Sequence, residues 1–418
     1  MKFLLGLQNK QRKLFEKGGK LERLYPLFEA GDTFLFTPDH VTRGASHVRD
    51  AIDLKRMMSI VVVGLAPCML MAMYNTGYQA HLAIAAGAAP LANWRTAMMQ
   101  AMGLAFDPNS VLACFAHGAL YYVPVYIVTL VAGGLFEALF AVVRKHDINE
   151  GFLVTSALFP LTLPATIPLW QVALGIIFGV VVGKEVFGGT GMNIFNPALT
   201  ARAFLYFAYP AQISGDKVWI AAETAAGADG YSGATWLAVL KDQGMAGIND
   251  PSLGGRTPVD WWSAFLGFEP GSMGETSALF CLIGAAVLIA TGVGSWRTML
   301  GCLVGSAAMV VVFNVVAFAG WSENAYYAVP LYWHWVIGGF AFAAVFMATD
   351  PVSSPFTETG KFIYGCCIGL LGILIREVNP AYPGSWMLVI LFMNMFAPLI
   401  DHYLVRANIK RRMVRYAA

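Results

Sequence analysis

The segment from Asp229 to Thr235 carries the side chains best suited to covalent modification. It reads Asp-Gly-Tyr-Ser-Gly-Ala-Thr, so Ser232 and Thr235 place two hydroxyls among glycines. A modifying enzyme needs its acceptor hydroxyl on mobile, accessible backbone, and glycines such as Gly233 supply that mobility. The small side chain of Ala234 leaves room beside Thr235. The alternative interpretation is a Gly/Ser turn that simply precedes a short helix.

Two carboxylates, Glu137 and Asp401, fall within otherwise apolar runs. A carboxylate inside a bilayer is costly and typically marks an ion pathway. Hard cations prefer oxygen ligands, so binding of a transported cation is one interpretation of both residues. Pairing with another chain or solvation at the membrane surface is the other. Glu185 and Glu377 each follow a basic residue, which favours a local ion pair for both.

Gly133 and Gly134 lie one helical turn before Glu137. Two adjacent glycines in an apolar helix allow close approach of a neighbouring helix. They also leave space for a flat ring, so the pair is a candidate binding surface.

The composition indicates that a membrane holds these groups. The chain has 418 residues, of which 57% are hydrophobic and only 12% are charged, whereas soluble domains carry about 25% charged residues. About 20 apolar residues span a bilayer. That length predicts about ten spans, near residues 57–77, 118–143, 151–165, 169–187, 197–210, 275–292, 297–319, 331–349, 361–376 and 385–405.

Basic residues predict the orientation of the spans, because they concentrate on the cytoplasmic side. If both termini are cytoplasmic, the basic residues that flank the predicted spans all fall on the cytoplasmic side. These residues are Lys55, Arg56, Arg144, Lys145, Lys184, Arg297, Arg406, Lys410, Arg411, Arg412 and Arg415. The acidic region 210–275, which contains Thr235, then lies outside. This placement explains the basic residues, and the net charge of +2 gives no indication of nucleic-acid binding.

The N-terminal segment argues against a cleavable signal peptide, and the cysteines argue against an iron–sulfur cluster or a structural disulfide. Residues 1–7 are too short for the apolar core of a cleavable signal, and residues 1–50 mix apolar with basic side chains as an interfacial amphipathic segment does. None of the six cysteines forms a CxxC pair. The spacing therefore predicts neither an iron–sulfur cluster nor a structural disulfide.

The sequence contains an internal repeat. Pro160–Pro164 leads through an apolar run to Lys184–Val186, and Pro351–Pro355 leads in the same way to Arg376–Val378. Asn-Pro-Ala follows each copy at a different spacing, which indicates an insertion in the first copy. Chance similarity is the alternative. If the repeat is real, each half has five spans, and an odd number inverts the second copy. Inverted repeats with broken helices place polar groups near the bilayer midplane.

Four stretches together resemble one family. Gly188–Ala198, Ser232–Thr235, Gly271–Ser277 and Phe346–Gly360 look like the signature segments of the family that contains the B subunits of sodium-pumping NADH:quinone oxidoreductases and the D subunits of Rnf complexes. Ser-Gly-Ala-Thr resembles the site at which bacterial flavin transferases esterify FMN phosphate onto threonine. The resemblance covers essentially residues 40–405, and the N-terminal extension favours the NADH:quinone branch.

The resemblance implies cofactors for the candidate residues. It implies FMN bound covalently to Thr235, a noncovalent riboflavin, and reduction of ubiquinone coupled to sodium export. Asn193 and Asn196 fit as amide partners of the uncharged riboflavin ring, although both could instead cap the helix that begins at Pro197. Gly133 and Gly134 become candidates for quinone contact, together with the N-terminal segment. Glu137 and Asp401 become candidates for sodium entry from the cytoplasm. The Gly189-Thr-Gly191 sequence lacks the rest of a Rossmann fingerprint, so NADH should bind another chain of the complex.

The resemblance also implies an organisation and partners. The expected fold is an all-α membrane protein of about ten helices in two inverted five-helix repeats with proline-broken helices. The chain divides into a cytoplasmic segment, a first repeat, a periplasmic loop with the FMN site, a second repeat and a basic cytoplasmic tail, at 1–54, 55–210, 211–274, 275–405 and 406–418. The implied setting is the inner membrane of a bacterium, in a six-membered complex with the A, C, D, E and F subunits. A flavin transferase would attach the FMN.

Two other functions remain possible. An Rnf D subunit would carry FMN on threonine but exchange electrons with ferredoxin rather than quinone. A transporter of the urea-channel type would also use five-span inverted repeats and would need no flavin. The Thr235 loop separates the channel from the other two functions, and quinone reduction separates the first two.

Overall fold

Helices dominate the structure, as the composition predicts. The computed structural model describes residues 12, 14–15, 18–35, 54–145, 148, 151–215, 217–223, 234–248, 260–379, 382 and 384–417. Asp229, Ser232 and Gly233 lie outside these residues. The only strands within them are the two-residue β1 (Ala89–Pro90) and β2 (Ala222–Glu223), which pair antiparallel. The all-α prediction is confirmed.

The first half of the chain contains eight α-helices among the described residues. They are α1 (Tyr25–Leu35), α2 (Leu54–Ala85), α3 (Trp94–Ala101), α4 (Val111–Arg144), α5 (Gly151–Leu161), α6 (Leu169–Gly183), α7 (Pro197–Ala208) and α8 (Pro210–Ile213). Short 3₁₀ helices at Glu22–Leu24 and Glu185–Phe187 precede α1 and follow α6.

The described part of the second half contains eight more. They are α9 (Trp236–Ile248), α10 (Trp261–Leu266), α11 (Ala278–Ala290), α12 (Trp296–Phe318), α13 (Leu331–Val336), α14 (Phe340–Phe342), α15 (Glu358–Val378) and α16 (Trp386–Ala417). A 3₁₀ helix at Ala325–Ala328 precedes α13, and a π-helix at Ala343–Met347 continues α14.

Five helical segments of the described chain are long and apolar enough to cross a membrane. They are Leu54–Ala85, Val111–Arg144, Leu169–Phe187, Trp296–Phe318 and Trp386–Arg415. Gly151–Leu161 and Ala278–Ala290 are apolar but shorter. Helical structure lies at all ten positions where a span is predicted, and the chain is an all-α membrane protein. The total of ten spans stays a prediction.

Short polar side chains define where several of the apolar helices begin. Ser110, Ser277, Ser295 and Thr357 each accept a hydrogen bond from the backbone of the first turn of α4, α11, α12 and α15. The first N–H groups of a helix have no partner inside it, so a side-chain oxygen at this position stabilises the helix start. Residues near these ends are thereby held in fixed positions.

The two halves of the chain meet where α2 packs against α11. Glycine makes this contact close, because a Cβ added at Gly284 would lie only 2.6 Å from the carbonyl oxygen of Gly64. One turn further along α2, the Sγ atoms of Cys68 and Cys281 lie 3.9 Å apart, both buried. Small side chains are thus what allow these two helices to approach.

The predicted repeat coincides with equivalent points in the structure. The Pro160–Pro164 segment ends α5, and Pro351–Pro355 follows the π-helix that continues α14. Lys184 directly follows α6, and Arg376 lies in the last turn of α15. Helix α4 packs on α6 as α12 packs on α15, and α6 packs on α7 as α15 packs on α16. These correspondences agree with a five-segment repeat, whose inversion across the membrane stays a prediction.

The predicted span 331–349 is interrupted, but not at a proline. Helix α13 ends at Val336, and α14 starts only at Phe340. Between them Gly338 has a φ of 73°, a conformation that favours glycine. The break therefore lies at Gly338–Gly339, well before the prolines that sequence reasoning associated with it.

Candidate functional site

Thr235 occupies the position directly before α9. Its backbone oxygen accepts hydrogen bonds from the N–H groups of Ala238 and Val239, and its Oγ1 lies 3.3 Å from the Ala238 nitrogen. The short helix that the alternative interpretation predicts after this segment is present and begins at Trp236, and Thr235 caps it. A helix N-terminus attracts negative charge, so a phosphoester on this hydroxyl would lie at a favourable place.

A small apolar core anchors α9 and so fixes the position of Thr235. Trp236 and Leu240 are buried against Tyr326 and Trp333, which belong to the 3₁₀ segment before α13 and to α13 itself. Ala234 and Thr235 are half-buried. Thr235 thus sits on a firmly packed support, although the residues that precede Ala234 lie outside the described part of the chain.

A cavity opens beside Thr235. We call it the Thr235 cavity. Four aromatic side chains and several polar groups line it, among them Tyr206, Trp219, Trp236, Tyr382, Arg202, Ser272 and Glu275. Small-molecule sites commonly combine apolar walls with a few placed polar groups. The lining of the Thr235 cavity has this character, which suits an isoalloxazine ring.

An ion pair crosses the wall of the Thr235 cavity. Arg202 Nη1 donates to Glu275 Oε1 at 2.9 Å, and Arg202 Nη2 donates to Ser272 Oγ at 3.3 Å. The sequence analysis did not single out Arg202. A lone arginine inside the apolar stretch 197–208 was the available signal, since an intramembrane charge generally indicates a functional site.

Glu269 lines the same cavity and is almost completely buried. Its Oε1 accepts a hydrogen bond from Gly338 N at 3.3 Å, and its Oε2 has no partner among the described residues. Burial raises the pKa of Glu269 to about 8 despite the nearby guanidinium of Arg376. The carboxyl is therefore mostly neutral at pH 7, and its unsatisfied oxygen is a group that a bound flavin could satisfy.

Asn193 and Asn196 lie together in a second cavity, which we call the Asn196 cavity. Its described lining also includes Lys184, Thr190 and Asp350, besides apolar residues such as Phe346. Thr190 Oγ1 is buried without a hydrogen-bond partner among the described residues. The apolar walls and this unsatisfied hydroxyl are groups that a second flavin ring could contact.

The two asparagines also have local structural roles. Asn196 Oδ1 accepts from Ala198 N at 3.0 Å and from Leu199 N at 3.3 Å, so Asn196 caps α7 as the alternative interpretation predicted. Its Nδ2 donates to Asp350 Oδ2 at 3.3 Å. Asn193 does not cap α7. Instead, its side chain bonds to Gly191 N and to the carbonyl oxygen of Phe195.

Asp350 contributes a carboxyl group from the second half of the chain to the lining of the Asn196 cavity. Besides Asn196, its carboxylate accepts hydrogen bonds from Val352 N and from Ser353 Oγ. Burial raises the pKa of Asp350, which favours its neutral form. The sequence analysis did not assign Asp350 to this site, because its partner Asn196 lies 154 residues away.

Gly133 and Gly134 face Phe152 of α5. A Cβ at Gly133 would lie 2.5 Å from Phe152 Cζ, whereas a Cβ at Gly134 would lie 3.5 Å from Phe152 Cε1. Gly133 is therefore required for close packing, and Gly134 has ordinary space beside it. Helix α1 of the N-terminal segment packs against α4, the helix that contains both glycines.

Glu137 and Lys184 form a buried ion pair between α4 and the end of α6. Lys184 Nζ lies 2.5 Å from Glu137 Oε1 and 3.9 Å from Glu185 Oε1. The predicted local pair of Lys184 with Glu185 is thus the longer of the two contacts. Arg144 donates to the backbone oxygen of Glu185 at 2.6 Å, and its Nη1 lies 3.8 Å from Glu185 Oε2.

Glu377 and its neighbour Arg376 differ from the expected local pair. Arg376 donates to the carbonyl oxygens of His334 and Ile337 and stacks on the ring of Trp386. Glu377 Oε1 lies 3.5 Å from His334 Nε2. The two halves of the repeat therefore use their basic residues differently.

Asp401 of α16 fixes the start of α15. Its carboxylate accepts hydrogen bonds from Phe356 N at 2.6 Å, from Thr357 N at 3.1 Å and from Thr357 Oγ1 at 2.5 Å. Both carboxylate oxygens take part. Glu137 and Asp401 thus contact different partners, and the role of each in sodium uptake stays a prediction.

Comparison with known proteins identifies the family. Residues 41–410 match the model of the NQR2, RnfD, RnfE family. The B subunit of the Na(+)-translocating NADH-quinone reductase from Chromohalobacter salexigens is 54% identical over 417 residues, covering 99% of this chain and 98% of that protein. Proteins of the same name from Azotobacter vinelandii and Pseudomonas aeruginosa are 55% identical over 404 residues and 53% identical over 417 residues. They match 96% and 98% of this chain and 96% and 100% of their own lengths. The chain therefore belongs to the NQR2, RnfD, RnfE family.

Proposed function

We propose that this chain is the B subunit of a sodium-translocating NADH:quinone reductase. The observation that carries the proposal is the position of Thr235, which caps α9 at the edge of a cavity lined by aromatic and polar side chains. Relatives that bear this name align over nearly the whole chain, including residues before the family match begins at residue 41. An Rnf D subunit remains the second candidate, because the same family includes RnfD.

In this proposal the two cavities bind two flavins. FMN is attached to Thr235 through its phosphate and occupies the Thr235 cavity, and riboflavin occupies the Asn196 cavity between Asn193, Asn196 and Asp350. The flavins supply one- and two-electron transfer, while the protein binds and orients them. A bilayer is about 30 Å thick, so an electron that starts near Thr235 needs a second carrier to reach the other face.

The side chains around each cavity define what the protein contributes. The Thr235 cavity offers the Arg202 guanidinium and the largely neutral Glu269 carboxyl beside aromatic walls. The Asn196 cavity offers amide and hydroxyl groups beside Phe346. These groups would orient a ring and exclude water from it. We place the Thr235 cavity on the periplasmic side and both termini in the cytoplasm, within a six-subunit complex of the bacterial inner membrane.

The proposal is tested by electron transfer with and without this chain. Membranes that contain the complete complex should reduce ubiquinone with NADH at a rate that sodium stimulates, and membranes lacking only this chain should not. Restoring the chain should restore the stimulated rate. Sodium-independent reduction of ferredoxin instead would favour the Rnf candidate, and a complex without any flavin on this chain would favour a channel.

Gly134→Leu should weaken quinone binding, because we place ubiquinone beside Gly134 and the N-terminal segment. The leucine fills the space that the glycine leaves next to Phe152. We expect the Michaelis constant for ubiquinone to rise about tenfold, which corresponds to about 1.4 kcal/mol of binding energy. Gly134→Ala is the matched control, since a single methyl group fits there. Unchanged quinone kinetics in a well-assembled Gly134→Leu complex would move the site elsewhere.

Glu137→Gln and Asp401→Asn should each weaken the sodium stimulation of turnover while flavin content stays normal. Both changes keep the shape of the side chain and remove the charge that attracts sodium. The sodium concentration for half-maximal stimulation should rise roughly tenfold, or about 1.4 kcal/mol. Glu358→Gln, at a carboxylate whose side chain is 58% exposed, is the control. An identical sodium response in both test variants would exclude these two residues from the uptake path.

A further inference from the structure

Glu269 has an unpaired carboxyl oxygen at the Thr235 cavity. The residue lies in the segment between α10 and α11, lines the cavity and is 2% exposed. Its Oε2 has no hydrogen-bond partner among the described residues. A buried polar atom without a partner is costly, which indicates that a group bound in the cavity supplies the missing contact.

Two hydrogen bonds hold Glu269 in place and define which of its oxygens carries a proton. Gly338 N donates to Oε1 at 3.3 Å, and Asn75 Nδ2 donates to the backbone oxygen of Glu269 at 2.8 Å. In a neutral carboxyl the carbonyl oxygen is the acceptor and the other oxygen carries the hydrogen. Because Oε1 accepts from Gly338, the hydrogen belongs on Oε2. The unpaired oxygen is therefore an O–H donor.

The surroundings of Glu269 favour this neutral form. Burial raises the pKa of the Glu269 carboxyl to about 8, although the Gly338 amide and the Arg376 guanidinium act in the opposite direction. The other titratable or charged groups of the cavity wall and of the adjoining ends of α13 and α15 are Arg202, Tyr206, Glu275, Tyr382, His334 and Glu377. Arg202 is paired with Glu275, and His334 Nε2 lies 3.5 Å from Glu377 Oε1. At pH 7 Glu269 thus adds a hydrogen-bond donor to the cavity, and not a negative charge.

We propose that Glu269 is the hydrogen-bond donor that stabilises negative charge on the ring bound in the Thr235 cavity. The inference rests on the proposed function, because it requires the covalent flavin. Glu269 keeps its proton on Oε2 and donates a hydrogen bond to an acceptor atom of the ring, so no bond breaks. An electron adds one negative charge to the ring, and a hydrogen bond to a charged acceptor is roughly twice as strong as one to a neutral acceptor. Glu269 thereby raises the reduction potential of the ring.

This role has a pH dependence of definite sign. Below its pKa of about 8, Glu269 is neutral in both redox states, and its effect on the potential is constant. Above that pH it is a carboxylate beside the oxidised ring. Negative charge on the ring raises the pKa of Glu269 further, so Oε2 takes up one proton from water when the electron arrives. The potential therefore falls as the pH rises above about 8, and a tenfold loss of stabilisation lowers a one-electron potential by about 59 mV.

The test is a spectroelectrochemical titration of the covalent flavin in the purified complex, at about one pH unit below and above the pKa of about 8. Subtracting the spectrum of the Thr235→Ala complex isolates the flavin of this chain. Glu269→Gln keeps an acceptor for Gly338 and a donor for the ring, but it cannot ionise. Its potential should equal that of the wild type at the lower pH. At the higher pH it should exceed the wild type by about 59 mV, or tenfold. Protonation of the ring itself affects both proteins equally.

Two more variants separate the donor from its surroundings. Glu269→Met has a side chain of similar length without a donor, and its potential at the lower pH should be about 59 mV below the wild type, or tenfold. Glu275→Gln is the matched control, because it changes the other carboxyl of the cavity wall. The fall in potential between the two pH values should persist in Glu275→Gln.

Three results would overturn the inference. They are a Glu269→Gln potential that follows the wild type at both pH values, a Glu269→Met potential equal to the wild type, and loss of the pH-dependent fall in Glu275→Gln. If Glu269→Met fails to assemble, the comparison of Glu269→Gln with the wild type decides. The covalent flavin is present in all these cases, so the proposed function would survive. A wild-type chain without covalent flavin would instead refute the proposed function itself.

Discussion

Thr235→Ala should eliminate the covalent flavin of this chain completely. The phosphoester requires the threonine hydroxyl, and alanine offers no acceptor. The measurement is the fluorescence of the denatured chain in a gel under ultraviolet light, after coexpression with a flavin transferase. The wild-type band should fluoresce, and the Thr235→Ala band should be dark.

Two further variants separate attachment from stability. Thr235 also caps α9, and loss of such a cap costs about 1 kcal/mol. Thr235→Asn keeps a capping side chain without a hydroxyl, so its band should be dark although α9 is capped. Ser232→Ala leaves Thr235 intact and should remain fluorescent. A fluorescent Thr235→Asn band would place the flavin on another residue.

Asn196→Ser should reduce the riboflavin that copurifies with the complex by roughly tenfold. Serine preserves the cap of α7 but removes the amide that reaches Asp350. Loss of one buried hydrogen bond costs about 1–3 kcal/mol when the partner is left unsatisfied, and about 1.4 kcal/mol is a tenfold change in affinity. The measurement is the ratio of noncovalent riboflavin to covalent FMN after acid extraction.

Asn324→Ser is the matched control for this prediction. Asn324 also accepts a hydrogen bond at the start of a helical segment, from Tyr326 N at 3.0 Å, but it lines neither cavity. Its riboflavin ratio should equal that of the wild type. Riboflavin retained at full stoichiometry in Asn196→Ser would remove Asn196 from the binding site.

Sequence reasoning succeeded where the determinants are local. The apolar runs predicted helices at the observed positions, because a stretch without charges has few other stable structures in a membrane. The capping of α7 by Asn196 before Pro197 follows from the residue types alone. The helix that begins at Trp236 was also predictable from its neighbours in the chain.

Long-range partners were not predictable in this way. Lys184 has Glu185 beside it in sequence, yet its shorter contact is with Glu137, 47 residues away. Asp401 accepts hydrogen bonds from the two residues that directly precede α15, more than forty positions earlier in the chain. Both pairings arise from the packing of separate helices, which periodicity and spacing do not specify. The Gly338 break was missed because the neighbouring residues are apolar and continue a helical pattern.

The interruption between α13 and α14 leaves backbone carbonyls without helical donors in an apolar interior, where each such group is expensive. Arg376 satisfies two of these carbonyls, because its guanidinium donates hydrogen bonds to the oxygens of His334 and Ile337. The side chain thus substitutes for amide groups that a continuous helix would have supplied. Both hydrogen bonds come from the same guanidinium nitrogen, Nη1. The wall of the Thr235 cavity formed by Ile337–Gly339 is therefore a break in helical backbone. The buried guanidinium of Arg376 stabilises this break.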